Sequence, residues 1–222
     1  MVYLEKSQPA PASLAEEKQK ANGNYRKEDV VERLKNDFKN KCYLCELKAP
    51  TSINIEHFEP HKGDVDKKFN WNNLFLSCPH CNNTKGDKCD KILNCTKKAD
   101  DVENRLKYIF RPFPIERIDI VALDDSAETQ NTKELLLEIY NGTTPFKKLE
   151  SANLRKQILD EISEFQQLLL DYFSDTVSAE KRQLLSSKIC LHISRESAFT
   201  AFKRWIIKGT PKHNIEFGKF ID

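Results

Sequence analysis

Two Cys-x-x-Cys pairs, Cys42/Cys45 and Cys78/Cys81, constrain this chain more than any other feature. Two such pairs suit a closed tetrahedral zinc site, in which each pair turns tightly round the metal and the ion clamps the two turns together. Four thiolates leave no open position for water. The metal therefore supplies folding free energy rather than reaction chemistry, and the segment between the pairs must return on itself. The chain opens without a signal peptide and has no apolar run long enough to span a membrane, so a cytoplasmic location is expected. Thiols stay reduced there, which favours metal over disulfides for the seven cysteines.

Composition adds limits rather than a function. With 222 residues and 39% hydrophobic residues the chain can bury a sizeable core, and disorder over most of its length is excluded. The net charge of +2 does not announce a nucleic-acid binder, although local clustering can still create a basic face.

Read in order, residues 1–25 form an extended arm, because Pro9 and Pro11 resist helix; a loose terminus is the plainer alternative. Val30, Val31, Leu34 and Phe38 recur at helical spacing and deliver the chain to Cys42. Ile53 and Ile55 alternate with polar neighbours in a strand ending near His57. Phe69, Trp71, Leu74, Phe75 and Leu76 anchor a second strand or turn before Cys78, and Asn82 to Lys85 suits a short helix. These elements make a core over residues 26–98. The remainder, 99–222, begins with a strand pair over Lys107–Phe113 and Arg117–Leu123, which Pro112 and Pro114 confine to edges. Four helical patterns follow, with apolar positions such as Leu154, Ile158, Ile162 and Phe165, suggesting a small bundle. The fold class is α+β: a zinc-held strand–strand–helix finger followed by a mostly helical region.

The cargo between the cysteine pairs is chemical. His57 has a near-neutral ordinary pKa and suits a general base. Glu56 is a hard oxygen ligand for Mg²⁺ or Mn²⁺, and the amide oxygen of Asn82 offers a neutral second ligand. Neighbours on a strand point to opposite faces, so Glu56 and His57 share a site only if the strand ends there or the site wraps round it. By themselves they also fit an ordinary surface pair. His80, inside the second knuckle, reads as an exposed turn residue, His61 as a loop residue, and Cys89, Cys95 and Cys190 as free thiols.

Glu56-His57-Phe-Glu-Pro, then Asn73-Leu74, then Cys78-Pro-His-Cys81-Asn82-Asn-Thr-Lys85 resembles the HNH endonuclease motif in its zinc-binding variant. The resemblance implies a ββα-metal finger with structural Zn²⁺ and a catalytic Mg²⁺ or Mn²⁺. It implies that His57 activates water against a phosphodiester, that Glu56 binds the catalytic metal, and that Asn73 holds the loop carrying the base. The last motif position, usually His, is here Asn82, with neighbouring Asn83 as an alternative ligand. Lys85, Lys62 and Lys88 would hold flanking phosphates, against the plainer reading of solvated surface lysines. The arm VYLEKSQPAPASL and the late SAFTAFKRWII extend the likeness to the HNH subunit of Septu-type anti-phage systems, also attached to some retrons. That likeness implies invader DNA as substrate, an ABC/SMC-like ATPase as partner, possibly a retron, and a docking surface around Arg204, Trp205, Ile206 and Ile207. The competing function is a non-catalytic zinc-ribbon module that binds DNA or protein.

Overall fold

The computed structural model describes residues 1–87 and 91–221. The arm leads into helix α1 (Ala12–Lys18) and helix α2 (Glu28–Asp37), then strand β1 (Asn54–His57), helix α3 (Val65–Phe69), strand β2 (Leu74–Ser77) and helix α4 (Pro79–Lys85). Beyond these come α5 (Val102–Arg105), strands β3 (Leu106–Arg111) and β4 (Arg117–Ala122), and helices α6 (Ala127–Asn141), α7 (Pro145–Tyr172), α8 (Ala179–Ile193), α9 (Thr200–Lys208) and α10 (Pro211–Phe217). The α+β class holds, with β1, β2 and α4 as the ββα unit.

The strands form two separate antiparallel pairs. In the first, Glu56 lies opposite Phe75 and His57 opposite Leu74. All of β2 is buried, so β1 is pinned on a strand that has no solvent face. Phe75 gathers Phe38, Tyr43 and Phe58 at ring-centroid distances of 5.3, 4.9 and 4.9 Å. This aromatic cluster joins α2, the first knuckle and β1 beneath the site. In the second pair Leu106 faces Ala122 and Arg111 faces Arg117, so Pro112 and Pro114 fall in the connection rather than in the ladder.

One apolar core takes residues from every part of the chain, including Leu4, Leu34, Tyr43, Phe75, Leu106, Leu136, Ile158 and Phe202. A second, smaller core lies among the C-terminal helices, where Phe165, Leu169, Leu185, Ile189, Ile207 and Phe217 meet. Among the described residues no helix is long and apolar enough to cross a membrane.

Several expectations need correction. The arm is neither loose nor wholly extended. Met1, Val2 and Leu4 are buried, Leu4 N donates to the Cys95 carbonyl at 2.9 Å, and Lys6 Nζ donates to the Leu74 carbonyl at 2.6 Å. Pro11 sits at the N-cap of α1, where its missing N–H costs nothing because that donor has no helical partner. Of the docking surface expected on α9, Arg204 and Ile207 face inward, whereas Trp205 and Ile206 are half-buried. Arg204 is 2% exposed, its Nε donates to the Ile193 carbonyl at 2.8 Å, and Trp205 Nε1 donates to the Leu106 carbonyl at 2.8 Å. His80 is no exposed turn residue either. It lies on α4, hydrogen-bonds the Ile139 carbonyl at 2.8 Å and meets Glu150 at 2.8 Å, so it ties the finger to α6 and α7.

Candidate active site and metal centre

Each knuckle is shaped by its own backbone. Cys42 N donates to the Leu47 carbonyl at 3.0 Å and Glu46 N to the Cys42 carbonyl at 2.9 Å, closing the first turn. Tyr43 N donates to the Leu76 carbonyl at 3.0 Å, which fastens that turn to β2. Cys78 caps α4, its Sγ accepting from Cys81 N at 3.5 Å, and Pro79 fills the first helical position. The outcome is four buried thiols whose sulfurs all lie within 4.8 Å of one another, Cys45 and Cys78 being 3.9 Å apart. A tetrahedron with Zn–S bonds of ~2.3 Å has an edge of about 3.8 Å, so the four sulfurs are grouped closely enough to hold one zinc ion. His80 contributes no ligand. Cys95 is buried, and burial pushes its thiol up to about 12; Cys190 is half-buried, and both are free thiols. Cys89 lies outside the described residues.

Strand β1 ends at His57, which resolves the problem of opposite faces. Glu56 turns inward toward Tyr43 while His57 turns toward the loop that follows, and both border one groove of about 580 Å³. The His57 ring is fixed on three sides. Nε2 meets the Lys68 carbonyl at 3.0 Å, and the rings of Tyr25 and His61 stand edge-on with centroids at 4.7 Å each. A carbonyl only accepts, so Nε2 carries the proton and Nδ1 keeps its lone pair. Burial lowers the His57 pKa below its ordinary 6.5, and the charges of Arg26 and Lys68 push the same way. The imidazole is therefore neutral at neutral pH, as a base must be.

Asn73 holds the loop between the strands from within. Its Oδ1 accepts from Glu59 N at 2.7 Å, and its Nδ2 donates to the carbonyls of Glu59 at 2.9 Å and Lys67 at 3.1 Å. These bonds clamp residues next to Phe58 on one side and next to Lys68 on the other. The carbonyl that orients His57 is thus itself positioned by Asn73.

Lys85 departs from expectation. It is 2% exposed, its Nζ pairs with Glu56 Oε1 at 2.8 Å and donates to the His57 carbonyl at 3.2 Å. Helix α4 carries this side chain under β1, where it joins the two motif residues rather than reaching a phosphate. Glu56 is itself buried; burial raises its pKa, while Lys85 and Tyr43 oppose that rise. Tyr43 donates to Oε1 at 2.9 Å, and Oε2 is buried without a partner. An orphaned carboxylate oxygen of Glu56 and the amide of Asn82, on one groove, are oxygen donors of the kind a hard divalent cation takes. Asn82 is half-buried on the groove wall and Asn83 is exposed at its rim. Lys62 is exposed on the same groove, and Lys88 lies outside the described residues.

The structure also brings in residues that the sequence did not announce. Tyr25 and Arg26 line the groove from the turn before α2, distant in sequence from His57. Lys68 acts through its main chain, which no side-chain pattern reveals. A Tyr-Arg pair ahead of a helix gives no signal without the fold that returns it to the site.

Residues 41–88 match the family model of the HNH endonucleases. A stretch of 74 residues is 35% identical to the Septu protein PtuB of Bacillus thuringiensis, covering 31% of this chain and 28% of that protein. The chain thus aligns with less than a third of that relative's length. The likeness to HNH endonucleases thus spans residues 41–88, and the likeness to the Septu protein spans 74 residues.

Proposed function

We propose that this chain is a metal-dependent HNH endonuclease that hydrolyses DNA phosphodiester bonds. We further propose that it is the effector nuclease of a cytoplasmic anti-phage complex with an ABC/SMC-like ATPase. The observation that carries the catalytic part is His57: neutral, oriented through Nε2, with Nδ1 free at a groove it shares with Glu56 and Asn82. The family match over residues 41–88 and the likeness to a Septu protein support the setting.

In this reading Glu56 and Asn82 would hold Mg²⁺ or Mn²⁺, which would neutralise charge on the scissile phosphate and on the departing oxygen. Nδ1 of His57 takes a proton from a water aimed at phosphorus. The Lys68 carbonyl keeps the ring from turning during that transfer and accepts from the imidazolium that results. Asn73 is a positioning residue that holds the neighbouring Lys67 carbonyl, and so the chain that presents the Lys68 carbonyl. Lys85 is also a positioning residue: it holds the Glu56 carboxylate and the His57 main chain together.

The test is cleavage of supercoiled plasmid with Mg²⁺ or Mn²⁺ by the wild type and His57→Ala, each alone and with the co-purified ATPase and its nucleotide. Cutting that vanishes in a folded His57→Ala variant supports the nuclease. Equal cutting by both places the active site elsewhere. No cutting even with partner and nucleotide points to a zinc-ribbon binding module instead.

A further inference from the structure

The wall of the groove that faces solvent is not made by residues 41–88 alone. Tyr25 and Arg26 complete it from a turn that is rigidly built. Gly23 N donates to the Lys20 carbonyl at 3.1 Å, the buried Glu17 carboxylate accepts from Asn24 N at 2.8 Å, and Asn24 Oδ1 accepts from Arg26 N at 2.9 Å. A Cβ at Gly23 would lie 1.9 Å from the Glu17 carbonyl oxygen, so only glycine allows this close return onto α1. Lys68 then joins the turn to the catalytic imidazole. Its carbonyl accepts from His57 while its Nζ donates to the Gly23 carbonyl at 3.2 Å. The turn is therefore registered on His57 through one residue, and Tyr25 packs its ring against that imidazole.

The charge balance of the groove points to what this turn presents. Three of its lining residues are Lys or Arg, namely Arg26, Lys62 and Lys85, against two acidic ones, Glu56 and the exposed Asp87. Lys85 is neutralised by Glu56. Arg26 and Lys62 are exposed, and among the described residues neither forms a salt bridge; the Arg26 guanidinium lies over the Tyr25 ring at 5.3 Å and donates to the Tyr25 hydroxyl at 3.2 Å. A guanidinium fixed at its backbone, steadied on the Tyr25 ring and without a carboxylate partner among the described residues offers its remaining N–H groups to a phosphate diester.

We propose that Arg26, displayed on the Gly23–Arg26 turn beside His57, binds a DNA phosphate in this groove together with Lys62, so that a segment outside the HNH match completes the substrate site. The proposal rests on the nuclease reading only in taking the groove as the path of the DNA.

The test is binding of a short fluorescent DNA duplex by the zinc-loaded full chain carrying His57→Ala, titrated with salt. Adding Arg26→Gln is expected to weaken binding about tenfold and to lower the slope of log Kd against log salt by about one, the loss of one phosphate contact. Arg26→Lys restores the slope but not the full affinity. Lys181→Gln, an exposed charge on α8, changes neither. Zinc content and melting temperature of the Arg26 variants match the parent, since the side chain is exposed. Arg26→Gln behaving like Lys181→Gln overturns the proposal, as does absence of DNA binding by the parent at low salt. Arg26-dependent binding by a chain whose wild type never cuts overturns the nuclease reading and leaves this one standing. Cutting that is independent of Arg26, with unchanged binding, does the reverse.

Discussion

Around the site, β1 and β2 are each 4 residues long; in the C-terminal half α7 alone runs for 28. The long helix is ordered by area: Leu154, Ile158, Ile162, Phe165 and Leu169 bury one stripe against neighbouring helices. The short strands bury Leu74, Phe75 and Leu76 in the core as well, but they are also held by particular atoms: four thiols, the three bonds of Asn73 and the two-ended grip of Lys85. A region held by area tolerates exchange of one apolar group for another of similar volume. A region held by particular atoms keeps reacting groups within tenths of an ångström but has few replacements for any one of them.

The largest effect is expected from the metal. Cys78→Ser with Cys81→Ser, or a strong chelator, removes a site of a kind that contributes roughly 10–16 kcal/mol in zinc-finger peptides, so the finger unfolds. Near-ultraviolet circular dichroism and zinc content should fall together while much of the helical far-ultraviolet signal persists. Complete loss of helicity would show that the two regions melt as one unit.

His57→Ala should lower the cleavage rate by about 10²–10⁴-fold with little change in melting temperature. In the wild type the rate should rise with pH through a value below 6.5 and then level off, because only the neutral ring accepts a proton and burial favours that form. A rate still rising above pH 7 would contradict the assigned environment.

Phe165→Ala, in the helical core, should cost about 3–5 kcal/mol in denaturant unfolding and leave the rate of the folded fraction unchanged. Lys85→Met leaves the Glu56 charge buried and unpaired, a loss of about 3–5 kcal/mol by analogy with other broken buried pairs, and unlike Phe165→Ala it should also slow cleavage. Adding Glu56→Gln to Lys85→Met should recover stability but not activity. The smallest effect is expected for Asn73→Ala: about 1–3 kcal/mol from stranded backbone groups. It should carry a lower rate with unchanged DNA affinity, the mark of a positioning residue.

The parts of the molecule legible in the sequence were those with a fixed spacing or period. The cysteine pairs, the Glu56-His57 step and the apolar repeats of α7 and α8 each carry a local signature. Lys85 did not, because a lysine beside Gly86 and Asp87 has the look of a solvated surface, and only the return of α4 beneath β1 buries it. His80 was misread for the same reason, its partners lying on α6 and α7. Arg26 is invisible until the turn at Gly23 folds back. Helix α1 was hidden by the two prolines, which exclude helix interiors but permit a helix start.

The contact from His57 to the Lys68 carbonyl has one more implication. Its acceptor belongs to the main chain, so every amino acid at position 68 supplies it, and a scan that swaps side chains there would leave the His57 ring in its hydrogen bond. What encodes the aim is distance along the chain. Between Phe58 and Asn73 the path is closed at both ends by hydrogen bonds. Inserting or deleting a single residue inside it would turn the imidazole away from its task, whichever letter were used.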